Sequence, residues 1–282
     1  MFNVRIKDIT HIALASVIAI SCTNKAAKDA EAAQELFNQA NISFESGNYE
    51  HSILLLDSID QTYPQAFDVR KSVEKQRPQL MERNPARELS ITDSLLVENQ
   101  IEGNNLRKKL KFVKNPLEGY YVASSIGDVN VREIAGLHGR ISPSFKFYLT
   151  SSCPIKLGCT SIRLEADGEF LSSAKIQYDG ERNNRSGKCE TLTFTEAESA
   201  PLGEFTKNHA NCRIDIVFIS DSGKEHKIAM TNANKDALIT GYSYAQVVIR
   251  DKQLQIEKSR LEKQLEISRM QIARTQTNSV TE

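Results

Sequence analysis

The chain has 282 residues, with 36 basic and 36 acidic side chains. That balance leaves no net field to hold nucleic acid, and no basic cluster with interleaved aromatics occurs. Aromatics make up 7% of the residues and Trp is absent, so a Trp-lined sugar platform is excluded, although Tyr can substitute.

Arg5 and Lys7 put positive charge at the start. An apolar run comes next, over residues 9–20, broken by Thr10, His11 and Ser16. A run of this length falls short of the roughly 20 residues that span a bilayer core as a helix. A basic start, a short apolar stretch and small residues at its end describe a secretory signal, residues 1–21. Ala19-Ile20-Ser21-Cys22 resembles the lipobox of bacterial lipoproteins. That family usually has Leu three residues before the cysteine, where this chain has Ala19. The resemblance implies cleavage before Cys22 and acylation of its thiol. Two or three acyl chains hold a protein stably on a membrane, where one holds it marginally. Thr23 comes after the cysteine, a pattern similar to outer-membrane sorting. The expectation is therefore a cell-envelope protein facing the periplasm from the outer membrane, rather than from the inner one.

Residues 22–84 read as a short tether and a helical hairpin. Ala32, Ala33, Leu36, Phe37, Ala40 and Phe44 recur at spacings of three and four, as one face of a helix does. Gly47-Asn48 stops it; Tyr49, Ile53, Leu56 and Ile59 make a second stripe, closed by Pro64. Leu36, Ala40, Gly47, Tyr49, Ser52, Leu56 and Pro64 stand at the spacings of a tetratricopeptide repeat, which this hairpin resembles. Gln39 and Ser43 depart from the repeat's apolar pattern, and no second copy occurs after Ala66. The hairpin then needs another helix near residues 67–75 to cover it. A plain hairpin without a peptide groove is the competing reading.

Pro78 and Pro85 punctuate the next stretch, and residues 85–114 read as a long helix. Leu89, Leu96 and Leu110 lie at multiples of seven, Leu106 and Val113 are offset by three, and Asn99 and Gly103 fall in the same seam. Residues 241–275 make a second such helix, with Val247, Leu254, Leu261, Leu265 and Ile272 along its seam, and 276–282 form a polar tail. Similar lengths suggest antiparallel pairing as a stalk; self-association through either helix is the alternative.

Residues 115–240 change character. The runs 119–123, 145–149, 161–164, 175–178, 191–194, 213–219 and 227–230 are β-branched or aromatic, often alternate, and are bounded by turn residues. Ser222-Gly223 reads as a hairpin turn. A short helix is expected near 202–209. The whole predicts an α+β protein: an N-terminal helical hairpin and two long coiled-coil-like helices flanking an all-β sandwich or barrel.

With Cys22 acylated, Cys153, Cys159, Cys189 and Cys212 remain, an even number that suggests disulfides in an oxidising compartment. Three pairings exist; proximity in sequence favours Cys153 with Cys159 and Cys189 with Cys212. Cys189, His209 and Cys212 match no zinc finger or ribbon spacing. His51, His138, His209 and His226 each read as surface residues. Cofactors and metals are not expected. The most polar loop, 179–187, offers Asp179, Arg182, Asn184 and Arg185 as ligand contacts, with Tyr120, Tyr121 and Tyr148 as a ring platform. An exposed loop of no function is the competing reading. No nucleophile elbow or Gly-rich phosphate loop occurs.

These readings point to a noncatalytic envelope lipoprotein acting as a scaffold for a protein partner or for itself. The alternative is a lipoprotein whose β region recognises a glycan or other extracellular molecule. A hydrolase is the third class, without a recognisable site.

Overall fold

The fold was obtained as a computed structural model. It describes residues 7–116 and 118–280, and side chains within 25–274. The protein is α+β, with helices at both ends flanking a β region. It divides into two compact units: the chain up to Ser94 together with the chain from Ile256, and Leu95–Gln255.

The first unit holds helices α1 (Lys7–Glu45) and α2 (Tyr49–Thr62) and the start of α3 (Phe67–Arg107). Gly47 takes a positive φ of 77° in the turn between α1 and α2, a conformation that costs glycine little. Asn48 accepts from the His51 amide and caps α2. Ala40 and Ser52 are fully buried where the two helices cross, and the Ser52 hydroxyl donates to the Ala40 carbonyl at 2.8 Å. Small side chains there let the backbones approach. Ala33, Phe44, Leu56, Ile59, Val69, Val73 and Leu80 form one buried cluster, so α3 covers the hairpin. Arg77 reaches Asp57 at 2.7 Å and Asp60 at 2.8 Å, fixing α3 against α2.

Helix α3 does not break at Pro78 or Pro85; it runs through both, beginning at Phe67 rather than at residue 85. A proline inside a helix leaves the carbonyl four residues back without its amide partner. For Pro85 that carbonyl belongs to Met81. The hydroxyl of buried Ser268, on α5 (Asn232–Val280), lies 2.7 Å from it, sharing its hydrogen with the Gln264 carbonyl at 2.9 Å. Asp93 pairs with Lys258 at 2.7 Å and Glu82 with Arg269 at 3.2 Å. Residue numbers thus fall along α5 as they rise along α3, so the two run antiparallel in this unit. Leu261 and Leu265 are buried there.

Among the described residues the second unit contains ten strands in two antiparallel sheets. The first orders as β1 (Leu110–Val113), β2 (Tyr120–Ala123), β3 (Gly136–Ile141), β4 (Phe147–Cys153), β8 (Glu190–Thr193) and β7 (Asn183–Asn184). The second orders as β10 (Glu225–Ala229), β9 (Asp215–Ser220), β5 (Cys159–Ala166) and β6 (Glu169–Ser172). Neither closes on itself, so the barrel alternative is overturned. Helix α4 (Glu196–Asn208) carries a capping box, with Thr195 and Glu198 each satisfying the other's backbone. Leu137, Leu149 and Leu192 of one sheet join Ile162, Leu164 and Phe218 of the other in one buried cluster with Leu202, Leu238 and Tyr242 of the helices.

Three sequence expectations are corrected by the fold. The long helix ends at Arg107, and 110–113 is β1, paired with β2 from Leu110↔Ala123 to Val113↔Tyr120. The run 175–178 is not a strand; its Ile176 amide bonds singly to the Thr160 carbonyl. The final helix starts at Asn232. Within this unit Leu96, Asn99 and Val247 are buried, and the Asn99 amide donates to the Val247 carbonyl at 3.0 Å, so α3 and α5 also meet here.

Candidate functional site

The hairpin presents a groove of about 390 Å³ between α1 and α3, lined by Phe37, Asn41 and Phe44 on α1 and Lys75, Gln76 and Gln79 on α3. These positions arise from helical spacing. Residues 37, 41 and 44 share one face of α1, as residues 72, 75, 76 and 79 share one of α3. The Gln76 amide donates to Asn41 Oδ1 at 2.7 Å, and its carbonyl oxygen is buried with no partner among the described residues. The Arg83 guanidinium lies 4.7 Å from the Phe44 ring centre, and Arg87 lies 5.5 Å from that of Tyr49. The groove therefore combines aromatic surface, one unanswered acceptor and the exposed charges of Glu45 and Lys75 at its rim. It holds no nucleophile paired with a base. What it can do is lay apolar and donor groups of a chain segment between two helices.

The polar side chains of the loop bond chiefly to its own backbone and to neighbouring elements. Asp179 accepts from the Glu181 and Asn183 amides at 2.9 Å each, and these amide bonds hold its carboxyl below its ordinary pKa. Arg182 pairs with Glu198 and donates to the Thr193 carbonyl. Asn184 donates to the Gly180 carbonyl and accepts from Ser186. Arg185 lies over the Tyr178 ring, 4.7 Å from its centre. Tyr120 bonds Asp128 beneath Arg140, and Tyr121 stacks on Phe145, so they form no joint platform with Tyr148. Asp179, Arg182 and Asn184 thus each serve the structure of the loop and its attachment to Glu198.

All four described cysteines are thiols. Cys153 and Cys159 sit side by side, and the interaction of the two thiols together with burial pushes the Cys159 pKa far up. Cys189 precedes Glu190, the register partner of Cys153. Glu190 is buried and accepts the Gly158 and Cys159 amides at 2.8 and 2.9 Å. Cys212 lies beyond the far end of β5, where Glu165 pairs with Asp215. The length of β5 separates the two ends by about 23 Å at ~3.3 Å per residue. The fold therefore does not bring Cys189 to Cys212, and a disulfide needs α-carbons within about 7 Å.

The side chain of Cys22 lies outside the described residues. Among the described residues no helix is long and apolar enough to cross a membrane, and no three His, Cys, Asp or Glu side chains converge as a metal site. His138, read as a surface residue, is 5% exposed. Its strand escapes the sequence pattern because Gly136 and Gly139 dilute the β-branched signal; the alternating Leu137 and Ile141 are the remaining clue. No protein family, no curated protein and no solved structure matches this chain.

Proposed function

We propose that this is a noncatalytic envelope lipoprotein, anchored through Cys22, that holds a protein partner in the groove between α1 and α3. One observation carries the reading. Phe37 and Phe44 line an open groove beside Asn41 and Gln76, between α1 and the third helix that packs on the hairpin. A docked segment with apolar side chains would bury the aromatic surface that Phe37 offers there. A helical groove with apolar anchors is a common way to receive a peptide. The lipobox-like Ala19-Ile20-Ser21-Cys22 supports the anchor.

The test places a photo-crosslinking amino acid at Gln79, in the groove, or at Leu54, exposed on α2 and outside it. Crosslinking is done in the native envelope. One abundant envelope protein captured at position 79 and not at 54 supports the reading. Equal capture at both positions, or none at 79, overturns it.

A further inference from the structure

The last turns of α3 show one face to solvent. Glu98, Ile101, Asn105 and Lys109 follow one another at spacings of three and four, so they share that face, and all four are exposed. They line an open hollow of about 510 Å³, together with Leu106, Lys207 of α4 and Ser243 of α5. Ile101 and, one turn before it, Val97 are each 57% exposed, and water penalises such apolar surface. Charge is sorted along the helix. Glu98 and Glu102 stand toward the start of the stretch and Lys109 at its end, while Lys207 adds a second cation from α4. None of these four has an ion pair among the described residues. Farther back on the same helix, Glu82 and Asp93 pair with Arg269 and Lys258. Glu98 and Glu102 are also one turn apart, where like charges repel.

We propose that this face binds a second copy of the chain, the two α3 helices lying antiparallel about a twofold axis. The sorted charge selects the occupant. In a twofold interface one patch meets itself reversed. A stretch that is acidic at one end and basic at the other therefore complements its own antiparallel copy and repels a parallel one. The register that sets Glu98 against Lys109 of the second copy also sets Ile101 against Leu106 and Glu102 against Asn105. Apolar side chains then cover each other near the centre, and an ion pair closes each end. That is the arrangement of an interface with an apolar core and a polar rim. A few turns of helix make a small contact, so the dimer is a reversible one. The face lies wholly in the second unit and stands independently of the groove between α1 and α3.

Sedimentation equilibrium of the full chain in density-matched detergent measures the pairing. The expected result is a reversible monomer–dimer equilibrium that salt weakens, because its rim is ionic. Glu98→Lys sets like charges against Lys109 twice in each dimer and should weaken it about tenfold; Lys109→Glu should do the same. The double variant E98K/K109E restores opposite charges and should return the dissociation constant to within about threefold of wild type. A wild-type chain that stays monomeric up to about 0.1 mM overturns the proposal. So does a dimer that Glu98→Lys leaves unchanged, or a double variant weaker than either single one. Chains damaged by the single changes would not regain pairing when both are combined, so the double variant separates the interface from folding.

Discussion

Pro85 removes an amide hydrogen from the middle of α3, and Ser268 offers a hydroxyl hydrogen to the carbonyl left behind. The two residues should therefore be energetically coupled. Ser268→Ala is expected to cost about 1 kcal/mol of stability, because it leaves a half-buried carbonyl without a donor. In a Pro85→Ala background the amide is restored, and the same change should cost only a few tenths. Urea denaturation of the four chains measures this, and equal costs in both backgrounds would refute the substitution of hydroxyl for amide. Glu198 gives a second residue-scale expectation. Burial raises its pKa, but the Thr195 amide and hydroxyl and the Arg182 charge outweigh that and hold it below its ordinary value. A depressed carboxylate adds stability above its unfolded pKa of about 4.3 and loses it as pH falls through the folded value. Glu198→Gln should thus be less stable than wild type at pH 7. The gap should close as pH is lowered through the acid range below 4; a constant gap across that range would show the charge has no part. For the thiols, non-reducing peptide mapping of the exported chain should find Cys153 joined to Cys159. A Cys189–Cys212 link instead would contradict the placement of Cys212 beyond the far end of β5.

At the scale of elements, the second unit is organised around Phe147. A Cβ added at Gly139 on β3 would stand 2.9 Å from this ring, at Gly203 on α4 3.1 Å, and at Gly241 on α5 3.2 Å. Tyr242 meets the ring edge-on at 5.8 Å between centres. Glycine at these points lets two strands and two helices close on one aromatic side chain. Gly203→Ala would also drive a methyl to 2.6 Å from the Tyr242 ring. Thermal or urea unfolding should register a loss of about 1–3 kcal/mol, as overpacked cores do, despite alanine's better helix propensity. A neutral or stabilising result would mean α4 is not held this closely. The same glycines explain where local pattern stops being informative. Runs with alternating β-branched residues, such as 161–164 and 213–219, are strands; β3 is rich in glycine and gives no such signal. Residues 110–113 read as helix because Leu106, Leu110 and Val113 keep heptad spacing, while their pairing with β2 is a long-range fact. Pro85 suggests a helix start because the compensating Ser268 is distant in sequence. Burial of Leu96, Asn99, Val247, Leu261 and Leu265 agrees with the seams read from spacing.

At the scale of the molecule, the α+β class and the flanking helices were legible because periodicity reports them directly. The groove was legible only as a pair of helical faces; the buried Gln76 oxygen and the Asn41 bond needed the third helix in place. The loop 179–187 stands out for its polarity, but Asp179, Arg182 and Asn184 spend that polarity on backbone and on Glu198, which no local pattern reveals. The groove serves the proposed role only if the chain reaches the envelope and stays there. That rests on Cys22. The most direct measurement is the intact mass of the protein extracted from membranes, with its N-terminal peptide sequenced. The lipoprotein reading predicts a chain beginning at Cys22 and carrying two or three acyl chains, and a Cys22→Ser form released from the membrane. A chain that retains residues 1–21, or one that begins elsewhere with Cys22 unmodified or removed, would contradict it.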